Sequence, residues 1–397
     1  MTSAVTSLLA FGGFPAPSFS KPTAADVYVL AVLIFKYFPL MTPLVKLVNA
    51  PHGKFAVLHS KLNLPGNAAW MAMEIWSPLL FALSVASPVL SHSSTQAVLT
   101  NLVSPSWSRL ASLPTPNLIL AAAYVAHYTH RAVLQPLRSP ARSPIHLSVA
   151  LSATAFNLLN GFVMGSWIGG RSPSMLLPSS IFSVSAVTAA QPLRAASWFS
   201  ALLPRNPSLT GAKGAATAPL ASPGLLPESA LYSPLFWMGV IGWAVGFAGN
   251  VYHDEILMDI RRPKAGQADP ASKAVEKRGS SAPPKYEIPN GGLYSYISFP
   301  NYLCEWTEWS FYAVGALSLS AISPLSRANT SPPLVWWAYP LLLLSAPPAL
   351  FVLSEITAML PRALNGHAWY RAKFGVQGDG KGGRYPAERK AIFPGLL

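Results

Sequence analysis

The chain of 397 residues carries a single cysteine, Cys304, which excludes an intramolecular disulfide and leaves no cysteine cluster for zinc or an iron–sulfur centre. Acidic residues are scarce as well, 14 Asp and Glu against 28 Lys and Arg. No GxGxxG, Walker A or GxSxG sequence occurs, so a Rossmann module, a P-loop and a hydrolase elbow are excluded. One HxxH is present, His127 to His130, and the other six histidines are dispersed, which argues against a di-iron oxygenase and against any metal centre. The first 20 residues hold no Lys or Arg, so the amino terminus does not read as a cleavable secretory signal. What is abundant is apolar: 51% of the residues are hydrophobic and 11% charged, too few charges for an ordinary soluble domain. The sequence reads as an all-α membrane protein. Its basic surplus reads as cytoplasmic anchoring of helices, with no nucleic-acid partner.

Crossing about 30 Å of hydrocarbon takes roughly 20 apolar residues as helix. Seven windows meet this, near residues 26–48, 68–90, 117–137, 145–168, 233–257, 297–322 and 334–360, and they predict a seven-transmembrane-helix bundle. Breakers separate them, among them Pro65-Gly66, the Ser and Pro cluster at 102–116, and Pro140. Distributing the basic residues over alternate sides gives twenty on one side and seven on the other, with Lys36 inside the first window. The bias places the amino terminus outside or lumenal and the carboxyl terminus in the cytosol. Residues 1–397 form one integral membrane domain on this reading. Within it, 170–232 is an Ala-, Ser- and Pro-rich, poorly ordered loop on the non-cytoplasmic side, and 265–284 a polar cytosolic insertion.

With so few acids, those inside apolar windows carry information: Glu74, Asp254, Glu305, Glu308 and Glu355. A charge at mid-membrane costs about 2.5–3.5 kcal/mol even on a lenient scale, so each implies a partner or a polar cavity. Glu305 and Glu308 follow Pro300 and equally fit the first turn of a helix, where carboxylates favour the dipole. Asp254 lies near a cytosolic end and equally fits a solvated site. At 100° per residue, Asn250, Asp254 and Arg261 fall within about 40° of one another, and Asn301, Glu305 and Glu308 within about 60°. An amide, a carboxylate and a guanidinium on one face suit a nucleotide, although polar glue between helices has the same pattern. The cluster His127, Tyr128, His130 and Arg131 fits either a polar site or an aromatic belt with a basic end.

Six ordered blocks carry a family resemblance. The stretch YEIPNGGLYSYISFPNYLCEWTEWSFYAVG, then RALNGHAWYRAKF, then YPAERKAIFPGLL, resembles the carboxyl-terminal signature of the steroid 5-alpha-reductase family, and makes 297–397 the most characteristic region. LPGNAAWMAMEIWSP is similar to the family's LPAxxAWxxxE segment, AHYTHRAVLQPLR to its HYxxR segment, and GNVYHDEILMDIRRP to its NxxxDxxLxxLRxP segment. The resemblance implies seven helices with NADPH enclosed by their cytosolic halves, and residence in the endoplasmic reticulum membrane. It implies reduction of the conjugated C=C bond of a lipophilic enone such as a 3-oxo-Δ4-steroid, which would enter from the surrounding membrane lipid. Carried over by motif, Glu74 and Tyr128 are the catalytic pair, with Glu74 hydrogen-bonding and orienting the phenol that polarises the substrate carbonyl, and Trp70 lines the substrate pocket. Arg142, Asn250, Asp254, Arg261, Tyr286, Asn301, Glu305, Arg362 and Tyr370 are implied NADPH contacts.

The chain departs from the family pattern at Met73, where Gln is frequent, at Cys304 for Gly, at Gly366 for His, and at His52 for Tyr before the Gly53-Lys54 pair. These positions bear on substrate choice. Polyprenal or polyprenol-pathway and enoyl-CoA reductases share parts of the signature. A membrane methyltransferase, which has a similar Pro-x-Tyr helix start, and a non-catalytic sterol-binding bundle are the readings from other classes.

Overall fold

The computed structural model describes residues 17–57, 59–90, 102–173, 222–262, 286–320, 343–375 and 385–397, with a few single positions between them. The described residues are overwhelmingly helical: α1 (Ala24–Tyr37), α2 (Gly66–Glu74), α3 (Trp76–Val85), α4 (Thr115–Thr129), α5 (Leu147–Ile168), α6 (Pro234–Arg261), α7 (Pro300–Leu317) and α8 (Pro347–Phe374). One two-residue ladder joins β1 (Asn63–Leu64) to β2 (Ile145–His146), antiparallel, with Asn63 opposite His146. Among the described residues, four helical stretches are long and apolar enough to cross a membrane: Ala24–Leu47, Gly66–Val85, Leu147–Ile168 and Pro234–Arg261.

Local chemistry explains the boundaries. Thr23 and Asp26 close a capping box at the start of α1, each side chain accepting from the other's backbone N–H. Pro78 has no N–H to give the carbonyl of Glu74, four residues back, and the helix is accordingly divided between α2 and α3 beside Glu74. Pro136 likewise offers nothing to Ala132, and α4 passes through a π-helical turn, His130–Leu134, before a last short helix, Gln135–Arg138. Arg131 sits in that wider turn.

Two glycine ladders set the packing. On α5, a Cβ at Gly161 would stand 2.4 Å from the Ser77 carbonyl oxygen, and one at Gly165 2.5 Å from that of Phe81, so α5 and α3 pack backbone to backbone. On α6, a Cβ at Gly239 would meet Gly315 at 2.4 Å and one at Gly246 the Glu308 backbone at 2.5 Å, which locks α6 onto α7. The largest apolar core contains Phe81, Tyr124, Tyr128, Trp167, Trp309 and Phe351.

Two expectations change. The seventh window was placed at 334–360; the helix begins at Pro347, with Pro347 and Pro348 in its first turn, and runs to Phe374. Proline is favoured at a helix start, whereas hydropathy follows the apolar residues upstream of it, part of which, 334–339 and 341–342, lie outside the described residues. The end of the 170–232 loop is packed: Leu226 and Ala230 are buried, the Leu226 N–H donates to Asn117 Oδ1 at 2.9 Å, and the Thr115 N–H donates to Glu228 Oε1 at 2.7 Å. Side-chain acceptors on α4 and in the loop itself hold a stretch whose composition predicts little order. Residues 176–221 and the insertion 265–284 lie outside the described residues.

Candidate active site

Four elements converge on Tyr128, which is buried on α4. Its hydroxyl accepts from Asn160 Nδ2 on α5 at 2.7 Å. Tyr124, one turn earlier, shares a 2.7 Å hydrogen bond with Ser77 on α3, and its ring stacks on Phe81 at 3.8 Å. Trp309 of α7 packs against Tyr124, Tyr128 and Phe351 of α8. The phenol thus points its oxygen into a polar seam inside an otherwise aromatic core.

The acids are gathered by one guanidinium. Arg131 Nε lies 3.4 Å from Glu74 Oε1 and Nη1 lies 3.0 Å from Glu305 Oε1. Asn157 Nδ2 donates to the Met73 carbonyl at 3.0 Å and to Glu74 Oε2 at 3.4 Å. His127 Nδ1 meets Glu308 Oε1 at 2.7 Å. The sequence-based expectation that Glu74 hydrogen-bonds the Tyr128 phenol is corrected here: Asn160 holds the phenol, while Glu74 is held by Arg131 and Asn157. The cause is the helix division at Glu74, which leaves that carboxylate at the end of α2, on the Arg131 side. Asn157 and Asn160, one turn apart on α5, serve the two members of the pair separately. Neither asparagine was singled out from the sequence, although two amides in the apolar run LSVALSATAFNLLNGFVMG were its available signal.

A separate polar chain ties the segment after α4 to α6 and α7. Arg142 Nη2 donates to Gln135 Oε1 at 3.1 Å, Gln135 Nε2 donates to Asp254 Oδ2, and Asn301 Nδ2 donates to Asp254 Oδ1 at 3.0 Å. Asp254 and Asn301 meet because the glycine ladder fixes α6 against α7. The two end members of this polar chain, Arg142 and Asn301, both line a cavity of about 240 Å³. Of the implied NADPH contacts, Arg142, Arg261, Tyr286, Asn301, Arg362 and Tyr370 line it, and Asn250, Asp254 and Glu305 do not. Asn250 is buried in α6, and Glu305 belongs to the Arg131 cluster. Trp70, expected in the substrate pocket, lines this basic cavity, with the Arg142 guanidinium 4.5 Å and the Arg131 guanidinium 5.3 Å from its ring.

The cavity's electrostatics are one-sided. Lys54, Arg142, Arg261 and Arg362 all line it, with Glu287 among its walls. Burial and the Arg362 guanidinium push the Lys54 amine down to about 7. Burial, then Arg261, pushes Arg142 down to about 10, where it is still charged at neutral pH. Burial, Arg362 and Arg142 push His52 down to about 3, leaving it neutral. Half-buried cations that destabilise one another are a site prepared for an anion. Among the described residues, no group of three His, Cys, Asp or Glu side chains is arranged to hold a metal ion.

Comparison with known proteins follows this geometry. Residues 221–324 match the family model described as 3-oxo-5-alpha-steroid 4-dehydrogenase. The chain is 30% identical over 359 residues to the uncharacterized protein C9.08c of Schizosaccharomyces pombe, covering 89% of this chain and 94% of that protein. It is 24% identical to 3-oxo-5-alpha-steroid 4-dehydrogenase 1 of Bos taurus, covering 89% of this chain and 90% of the relative. It is also 24% identical to the steroid 5-alpha-reductase DET2 of Solanum lycopersicum, covering 93% and 95%. By these matches the chain belongs to the steroid 5-alpha-reductase, or 3-oxo-5-alpha-steroid 4-dehydrogenase, family.

Proposed function

We propose that this protein reduces the conjugated C=C bond of a lipophilic enone with NADPH, and that a 3-oxo-Δ4-steroid is the substrate class, reduced to the 5α-saturated 3-oxo-steroid. The observation that carries the reading is the position of Trp70, whose ring lines the basic cavity 4.5 Å from the Arg142 guanidinium and stands 5.3 Å from the Arg131 guanidinium that holds Glu74.

Side-chain atoms on the cavity walls support a nucleotide fit. Trp70 Nε1, Arg142 Nε and Asn301 Oδ1 are buried without hydrogen-bond partners, so a donor-and-acceptor-rich ligand satisfies groups that are otherwise costly to bury. Arg142, Arg261 and Arg362 would hold its phosphates, and Tyr286 and Tyr370 offer aromatic faces. Three arginines favour NADPH, with its additional phosphate, over NADH. When bound, the reduced nicotinamide supplies hydride to the β-carbon of the enone.

The chain's own residues do the rest. Charge accumulates on the substrate carbonyl oxygen as the β-carbon is reduced, and Tyr128 donates a hydrogen bond to that oxygen. Asn160, donating to the phenol oxygen, fixes where that oxygen stands. Glu74 positions Arg131, and the aromatic packing of Phe81, Tyr124 and Trp309 excludes water, which strengthens the donor. The protein sits in the endoplasmic reticulum membrane as seven spans, with the basic cavity facing the cytosol and the enone arriving from lipid.

The test is product analysis. Purified protein with NADPH and a panel of a 3-oxo-Δ4-steroid, a polyisoprenoid enal and an enoyl-CoA is expected to yield the saturated steroid ketone. NADH is expected to be markedly poorer. Cofactor oxidation with the enal or the enoyl-CoA alone transfers the assignment to another branch of the family. No oxidation with any of them overturns it.

A further inference from the structure

Of the five acids that the sequence places in apolar windows, four have close partners: Arg131 for Glu74 and Glu305, His127 for Glu308, and Gln135 with Asn301 for Asp254. The fifth is Glu355. It makes no hydrogen bond and no ion pair with any described residue. Glu355 stands on α8 one turn after Phe351, on the same face, and the Phe351 ring packs edge-on against Trp309 at 4.8 Å, with the Tyr128 ring 6.0 Å further on. Tyr128, Arg131, Glu74 and Glu305 all lie within its electrostatic reach. Glu74, Glu305 and Glu308 are buried, whereas Glu355 keeps accessible surface although these groups surround it, so its side chain opens onto space that others do not fill. An unpaired carboxyl beside an aromatic core is costly until something brings it a partner. Two further atoms of this core are fully enclosed and unpartnered: the Trp309 indole N–H, a donor, and Asn160 Oδ1, an acceptor beside Tyr128.

We propose that Glu355 is a specificity-determining residue whose carboxyl group binds a hydroxyl group of the lipophilic enone, at a point apart from the carbonyl that Tyr128 polarises. The enone is named on the reading of the Tyr128 core as a substrate site; the recognition point itself rests on the placement of Glu355. A hydroxyl fits because it both donates and accepts, so it pairs with the carboxyl whether or not that group carries a proton. It also brings no charge into an apolar interior. Discrimination follows from the unpaired state: an analogue without the hydroxyl seals the acid away from water and leaves it with no partner, which costs more than desolvating one hydroxyl.

Steady-state rates, and tryptophan-fluorescence titrations without cofactor, on the full-length protein in phosphatidylcholine nanodiscs test this. The probes are a 3-oxo-Δ4-steroid that carries no hydroxyl and its monohydroxylated derivatives on rings B, C and D. At least one derivative is expected to exceed the parent about tenfold or more in kcat/KM and in affinity, the effect of satisfying one buried polar group. Glu355→Leu is expected to erase that preference, and Glu355→Gln, which keeps a donor and an acceptor, to lower it about threefold or more while retaining part of it. Should Glu355→Leu fail to fold, Glu355→Gln carries the test alone. The proposal is overturned if the wild type prefers none of the derivatives, or if the preference stays within about twofold of wild type in the folded variants. Equal loss on parent and derivatives also overturns it, since that is what a purely structural role through Arg131 produces. Reduction of all the probes with equal efficiency removes the recognition point and leaves the reductase reading. Tight binding of a derivative that is not reduced, lost in Glu355→Leu, removes the reading and leaves the recognition point; neither binding nor reduction removes both.

Discussion

Tyr128 and Glu74 share one site yet depend on different supports. Asn160 holds the phenol, and Arg131 with Asn157 holds the acid. The two variants should therefore fail differently. Tyr128→Phe removes the donor to the developing oxyanion and is expected to lower turnover by about 10² to 10³ while leaving NADP⁺ affinity unchanged. Glu74→Gln loosens Arg131, which also carries Glu305, so it is expected to lower turnover and in addition to weaken the cofactor; calorimetry beside steady-state rates separates the two. Asn160→Leu keeps the bulk and removes the bond that orients the phenol, with an expected tenfold or greater loss in turnover, since misorienting one donor costs about 1.4 kcal/mol or more. Equal rates for Asn160→Leu and wild type would show that the phenol needs no such support. The motif resemblance singled out Glu74 and Tyr128 in the sequence, and both side chains are buried. Asn157 and Asn160 were not singled out, because an amide in an apolar run declares a polar need without naming the partner. The partner follows from how α5 docks.

Docking is decided at the scale of elements by residues that have no side chain. Gly161 and Gly165 let α5 lie directly on the α3 backbone, which is what brings Asn160 within reach of Tyr128. Gly161→Leu places a branched side chain where the Ser77 carbonyl stands and is expected to destabilise the detergent-solubilised protein by about 1–3 kcal/mol or more, read as a lowered thermal midpoint, with activity lost in parallel. Pro78→Ala is the contrasting change. It restores the missing donor to Glu74, is expected to straighten the α2–α3 junction, and should lower turnover without lowering the midpoint. Apolar windows located most of the long helices within a few residues, since burial and span length leave a continuous record in composition. They misplaced α8, where Pro347 and Pro348 set the start and Pro361 is accommodated inside the helix. The faces on α6 and α7 were legible as periodicity: Asp254 and Asn301 are hydrogen-bonded, although Asn250 and Glu305 sit off the cavity.

For the whole molecule, the asymmetry of basic residues and the placement of the cavity make one statement. Lys54, Arg142, Arg261 and Arg362, which line the cavity, all belong to the twenty basic residues assigned to the cytosolic side by alternation along the chain. A protease-cleavable epitope after Leu397 is accordingly expected to be removed by protease added to sealed microsomes, and one in the 170–232 region to be protected; the reverse pattern would place the cavity in the lumen, away from cytosolic nucleotide. Composition can propose a sidedness because anchoring charges are counted, whereas the cavity itself depends on six segments that lie far apart in the chain.

The central claim is that hydride passes from the nucleotide held by the basic cavity to the β-carbon of an enone whose carbonyl Tyr128 polarises. Its most direct measurement uses NADPH deuterated at C4 of the nicotinamide, a 3-oxo-Δ4-steroid, and mass and NMR analysis of the product. The account predicts one deuterium at the β-carbon of the saturated ketone, with unlabelled hydrogen from solvent at the α-carbon, and loss of the labelled product in Tyr128→Phe. Product without deuterium at the β-carbon, or labelled product formed at full rate by Tyr128→Phe, would contradict it.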